Sequence, residues 1–284
     1  MKLSVDRYDL ERFCGFSSGK FTHAHLGFTF LAGTVFALIF YAFLLPFRGC
    51  GSVMADMFFP GGDMNRSIIP VFTVWLAMWA LTILLDKWYK LFIQRKALEI
   101  KVLPEDPFFS LTSQTALEIL ENIRRQVENP EDFLLFDRMI RALSNLKNLG
   151  DLPAVADCLA RQAGNDENTL TNSYTILKGF IWAIPVLGFI GTVVGLAEAV
   201  GGFGGAVSSG ASIEELKNAL SGVTGGLAIA FETTLVALVF ALVIQLLMSF
   251  VVSREEHFLD ECADYCHKNL ISRMKNPRFA EFEE

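Results

Sequence analysis

From Phe21 to Phe47 the chain carries no Asp, Glu, Lys or Arg. Roughly 20 such residues cross the hydrocarbon core of a bilayer. Backbone inside that core has to satisfy its own hydrogen bonds, so a segment of this kind is read as a helix. Three further apolar stretches follow, at about 67–86, 178–205 and 219–253. The chain has 284 residues, 52% of them hydrophobic and 19% charged, and a mean hydropathy of +0.40. These values fit one membrane domain with modest soluble parts. The fold expected is all-α: a polytopic membrane protein with four transmembrane helices.

The boundaries expected are an N-terminal segment 1–23, spans at 24–47, 67–86, 178–205 and 219–253, outer loops 48–66 and 206–218, a helical domain 87–177 and a tail 254–284. Positive charge clusters at 2–20, 87–101 and 254–278. Arg48 and Arg66 in the first loop are balanced by Asp56 and Asp63. Lys87, Lys90, Arg95, Lys96 and Lys101 form the densest flank, which places both termini and the helical domain in the cytoplasm. Residues 1–23 read as a short amphipathic helix on the membrane surface, and His23 and His25 as interfacial. The N-terminus has no signal-peptide pattern. The last span, about 50 Å as a helix, exceeds the bilayer core and is expected to project into the cytoplasm. In the tail an apolar face of Phe258, Leu259, Cys262, Tyr265 and Cys266 opposes Arg254, Glu255, Glu256 and Asp260.

Residues 104–172 read as two to four helices. Leu117, Leu120, Ile123 and Val127 recur at helical spacing, as do Leu134, Leu135, Met139 and Leu143. Pro130-Glu131-Asp132 reads as a helix start and Gly150-Asp151-Leu152-Pro153 as a turn. Arg124, Arg125, Arg138 and Arg141, with Glu118, Glu121 and Asp137, read as solvated faces or as a docking surface for a cytoplasmic partner. The five cysteines are scattered, so no disulfide framework is implied. Cys262 and Cys266 with His257 and His267 match no usual zinc spacing. A net charge of −7 argues against nucleic acid as a partner. No nucleophile–base pair or phosphate loop appears, so no catalytic residue, enzyme activity or cofactor is expected. Gly201-Gly202-Phe203-Gly204-Gly205 reads as a glycine-rich helix end.

Polar and small residues gather in the last two spans. Pro185, Gly188, Gly191 and Gly195 punctuate the third, and its three glycines share a helix face. Small faces let membrane helices approach closely. If the third and fourth spans form a hairpin turning near 209–213, residues at equal depth have numbers summing to about 420–426, by equal rise. Thr192 then meets Thr234, with Glu232 and Thr233 at the same level. Ionisable and polar groups at that depth point to an ion pathway. Structural readings compete: a threonine bonded to its own i−4 carbonyl, or a neutral Glu232 bonded to a neighbouring helix. Glu198 lies nearer the outer end and reads as a vestibule residue.

The segment Ile184-Pro-Val-Leu-Gly-Phe-Ile-Gly-Thr-Val-Val-Gly-Leu196 resembles the hallmark of the MotA/TolQ/ExbB proton-channel family, and Gly226–Gln245 resembles that family's last membrane helix. The likeness covers about 174–253. It implies a homo-pentamer around a dimer of a single-span partner (MotB/TolR/ExbD-like) whose membrane aspartate carries a proton, or a sodium ion. It also implies a motor or stator role in the bacterial inner membrane. Thr192 and Thr234 match the family's pore-facing threonines, and Pro185 its third-span proline. Val243 stands where relatives have a proline, and Glu232 where they commonly have an apolar residue. The alternative is a non-conducting oligomeric scaffold that holds a cytoplasmic partner.

Overall fold

The computed structural model describes residues 3–4, 10–13, 15–16, 19, 21–47, 57–59, 64–100, 102–104, 109, 111–149, 152–210 and 212–274. Most of the expected outer loop 48–66, the Gly150-Asp151 turn and the last ten residues lie outside them. The helices are α1 (Leu10–Phe13), α2 (Leu26–Leu44), α3 (Met64–Arg95), α4 (Ser113–Gln126), α5 (Leu134–Leu149), α6 (Leu152–Ser173), α7 (Thr175–Ser208) and α8 (Ile213–Asn269). Four helical stretches are long and apolar enough to cross a membrane. Two small β features stand among the described residues: a two-residue parallel pairing of β1 (Leu3–Ser4) with β2 (Val127–Glu128), and an isolated bridge from Leu111 to Met274.

The chain divides into two compact units. The first comprises 1–28, 85–174 and 250–284. Its core is formed by α4, α5 and the last part of α8, with Ile119, Ile123, Phe133, Phe136, Met139, Phe258 and Cys262 buried together. Thr112 and Thr115 cap α4 reciprocally, and Pro153 sits in the first turn of α6, where its missing N–H is harmless. The expected stripe on α5 is buried as read, and on the α4 stripe Ile123 and Val127 are buried and Leu120 packs against the core, with one departure at the start of the helix. Ala116 and Ile119 face inward, whereas Leu117 is 43% exposed. Burial raises the thiols of Cys262 and Cys266, the latter to about 11, so both are neutral core side chains.

Charge is where this unit departs most from expectation. Arg138 is no solvated residue. Its side chain is buried, its Nε donates to Asp166 at 2.6 Å and its Nη1 to the Leu259 carbonyl at 3.3 Å. Arg125–Glu121 and Arg141–Asp137 do form exposed i,i+4 pairs. Lys87 and Lys90, part of the dense positive flank, are both buried. Lys90 Nζ donates to Glu11 at 2.6 Å and to the His23 carbonyl at 2.8 Å. Glu11 also accepts from the His25 N–H at 2.6 Å, and Arg12 pairs with Asp132 at 3.0 Å. The N-terminal segment is therefore tied to this unit by ion pairs and a strand pairing.

Lys87 belongs to a second buried group. Its ammonium lies 3.5 Å from both Glu255 oxygens, donates to Ser173 Oγ at 2.8 Å and stands 4.1 Å over the Tyr174 ring. Tyr174 donates its hydroxyl to Glu255 at 2.6 Å. Burial pushes the lysine pKa down, and the Glu255 charge works against that shift. Burial first, and the same carboxylate second, push Tyr174 up. Glu255 was placed on the polar face of the tail; it lies instead on the inward stripe with Val251, Phe258 and Cys262. Tyr174 is the single residue that separates α6 from α7, so this knot fixes the point at which α7 begins.

The second unit comprises 29–84 and 175–249. In it α2 and α3 meet where Gly33 lies against Trp79; a Cβ on Gly33 would fall 2.7 Å from the Trp79 Cα. Trp79 donates its indole N–H to Thr29 at 3.3 Å and Trp75 donates to Thr34 at 3.1 Å. Phe30 packs edge-on against both indoles. Helix takes in most of the stretch read as a linker at 206–218, because Ser212 and Glu215 cap α8 reciprocally. Gly210 turns the chain at φ +68°, a conformation other residues rarely adopt.

Candidate functional site

The site is built on α7 and α8, which pack as an antiparallel hairpin through small residues. A Cβ on Gly188 would meet the Ala237 Cβ at 2.6 Å and the Thr234 Cα at 3.2 Å. One on Gly191 would meet Thr233 Oγ1 at 2.8 Å, and one on Gly195 the Ala230 Cβ at 3.3 Å. Gly226 approaches Ala199 in the same way, at 2.8 Å. Every one of these facing pairs falls in the band that equal helical rise sets for a turn near 210. The glycine face read from sequence is thus the seam itself, and its function is close approach of two backbones.

The seam brings Thr192 and Thr234 together. Their hydroxyl oxygens are in direct hydrogen-bond contact. Thr192 Oγ1 lies 3.2 Å from the Gly188 carbonyl oxygen and 3.1 Å from that of Ala230. Thr234 Oγ1 lies 3.0 Å from Gly188 O and 3.2 Å from Ala230 O. Gly188 and Ala230 are the i−4 residues of the two threonines. The four oxygens therefore form one group in which each hydroxyl can donate to its own i−4 carbonyl or to the other helix's. The Ala230 carbonyl also accepts from Thr233, so three hydroxyls share two carbonyls and hydroxyl lone pairs are left over as acceptors. Both threonines are half-buried, so those lone pairs are within reach of another group.

The neighbouring candidates stand elsewhere. Thr233 is buried, donates to its own i−3 carbonyl at Ala230 at 2.9 Å, and fills the space beside Gly191. It is a packing residue of the seam. Thr234, not Glu232, is the partner of Thr192. Glu232 is half-buried, and among the described residues no hydrogen bond or ion pair involves it. Glu198 is exposed, six residues along α7 from Thr192. Pro185 lies inside α7 and deprives the carbonyl one turn earlier of its helical donor. Gly201, Gly202, Gly204, Gly205, Gly222 and Gly225 have nothing within 4 Å of an added Cβ, so the halves of both helices nearer Gly210 keep open small-residue faces.

Sequence reasoning found the threonine pair. It missed the two carbonyls that complete the group, although each is the i−4 residue of a threonine already singled out. Residues 127–263 match the family model described as MotA/TolQ/ExbB proton channel family. No curated protein and no solved structure matches the chain.

Proposed function

We propose that the chain, whose residues 127–263 match the model of the MotA/TolQ/ExbB proton channel family, is the ion-conducting subunit of a force-transmitting motor complex. The observation that carries this reading is the Thr192–Thr234 group between α7 and α8. In the proposed complex five copies surround two copies of a single-span partner whose membrane aspartate carries the ion, a proton in preference to sodium. The protonated carboxyl donates its O–H to a threonine oxygen; the ionised carboxylate accepts a threonine O–H. Because each hydroxyl can turn between two carbonyls, neither state of the carboxyl is trapped, as conduction through repeated weak sites requires. A potential of 100 mV supplies about 2.3 kcal/mol per charge to bias such steps.

In this reading the chain sits in the bacterial inner membrane with both termini and the unit containing α4 to α6 in the cytoplasm. Glu198 lies toward the outer vestibule and Glu232 is a secondary ion-pathway residue. The exposed faces of 104–172, without Arg138, are the surface available to a cytoplasmic partner. A scaffold without conduction is the second reading. It is favoured by one observation: both threonine hydroxyls already have backbone acceptors within the hairpin.

Native mass spectrometry of the tagged chain, isolated in mild detergent with whatever accompanies it, separates the two. Five copies with two of a small single-span protein bearing a membrane aspartate is the expected composition. A homo-oligomer without a companion would transfer the weight to the scaffold.

A further inference from the structure

The apolar run of α3 ends at Leu85, and Asp86 is the first charge beyond it. Asp86, Lys90 and Glu11 are buried together in the first unit. Lys90 Nζ stands 2.6 Å from Glu11 Oε2 and 3.4 Å from Asp86 Oδ2. One ammonium therefore serves two carboxyls. We infer that Glu11 and Asp86 share a single proton, and that this proton is a pH-sensitive catch fastening α1 to α3. Conduction plays no part in it.

The geometry calls for the proton. The two carboxyls are within hydrogen-bond reach of each other. Two carboxylates can only accept and repel, so a bond between them needs one protonated. Both Glu11 oxygens already accept, Oε1 from the His25 N–H at 2.6 Å and Oε2 from Lys90. Asp86 Oδ2 takes no hydrogen bond. Glu11 is thus the ionised member, and Asp86 carries the proton and donates it to Glu11. Among the described residues the neighbouring cations are engaged elsewhere: Lys87 on α3 by Glu255 of α8, and Arg12 on α1 by Asp132. His23 gives Lys90 its carbonyl, and the rings of His23 and His25 are the other titratable groups of that loop. Burial pushes the Asp86 carboxyl up to about 7, with the Lys90 charge opposing and the Glu11 charge adding.

Loss of the proton to water leaves two buried carboxylates on one ammonium, and they repel. A free aspartate titrates near about 4. Attachment of α1 is therefore strongest below about pH 4, where attached and detached states both hold the proton. It weakens as the pH rises from there and is weakest above about 7.

Hydrogen exchange of the full chain in mild detergent, read by mass spectrometry on the stretch 10–25, tests the catch. The reporting amides are Gly15 and Phe16, bonded to the Arg12 and Glu11 carbonyls, and His25, bonded to the Glu11 side chain. Each rate is divided by the intrinsic rate at its pH. Wild-type protection is expected to fall about tenfold from about pH 6 to about pH 8, as release of one proton dictates. Asp86→Asn keeps a donor toward Glu11 that cannot titrate, and Glu11→Gln supplies an amide from the other side, so that misfolding of one leaves the other to be read. Each is expected to hold its protection constant over that range, while Glu121→Gln, in an exposed pair on α4, falls as wild type does. Wild-type protection that does not change with pH overturns the catch. A wild-type fall in both Asp86→Asn and Glu11→Gln also overturns it and assigns the titration to His23 or His25.

Discussion

Replacing Glu255 with alanine is expected to destabilise the protein by about 3–5 kcal/mol, the usual penalty for leaving one member of a buried ion pair without the other. The carboxylate is 99% buried and holds two groups at once, the Lys87 ammonium and the Tyr174 hydroxyl. Its removal leaves Lys87 with the Ser173 hydroxyl and a ring face. The lysine, already depressed by burial, then sheds its proton more readily. Thermal unfolding in mild detergent should show a midpoint lower by on the order of 10 °C. Replacing all three members, Lys87→Met and Tyr174→Phe with Glu255→Leu, should recover most of that loss, since a packed apolar group is often no less stable than a buried ionic one and no hydroxyl is then left without its acceptor. A single variant that melts with wild type would show that the knot is wet and unimportant.

Alanine at Gly188 and alanine at Gly201 are expected to act in opposite directions. Both sit inside α7, so both gain up to about 1 kcal/mol of helix propensity over glycine. At Gly201 nothing opposes that gain, because no atom lies within 4 Å of the new Cβ. At Gly188 the new Cβ falls 2.6 Å from the Ala237 Cβ, which has no rotamer with which to move aside. The helices have to separate, at a cost of about 1–3 kcal/mol. The same residue supplies a carbonyl to both threonines, so separation also opens the oxygen group. Melting midpoints of the two variants in one detergent give the sign directly. Equal midpoints would mean that the seam is looser than its distances state.

The parts of this structure that were legible in the sequence are those in which period and chemistry agree. Gly188, Gly191 and Gly195 recur at helical spacing in an apolar stretch, and both facts point to a close seam. Equal helical rise then paired Thr192 with Thr234 without any knowledge of the fold. The parts that were not legible are those in which charge and period disagree. Glu255 falls on the same stripe as Val251, Phe258 and Cys262, so the 3.6-residue period places it inside, while its charge argues for the outside. Arg138, expected on a solvated face, departs for the same reason, and Lys87 and Lys90 are buried with it in this unit. A buried charge needs a partner, and those partners are Glu255, Glu11 and Asp166, distant in sequence by 168, 79 and 28 positions. Leu117 erred the other way, an apolar residue one position off the inward face.

Proton entry into vesicles carrying the complex as isolated from its membranes, under an imposed potential and followed with a pH-sensitive dye, addresses conduction itself. Thr192→Val and Thr234→Val keep the side-chain shape and remove the oxygen, while Thr192→Ser and Thr234→Ser keep the oxygen. The account expects flux to fall at least tenfold in each valine variant and to persist in each serine variant, with the subunit composition unchanged in all four. Valine variants that conduct at the wild-type rate would contradict it and remove the threonine pair from the ion pathway.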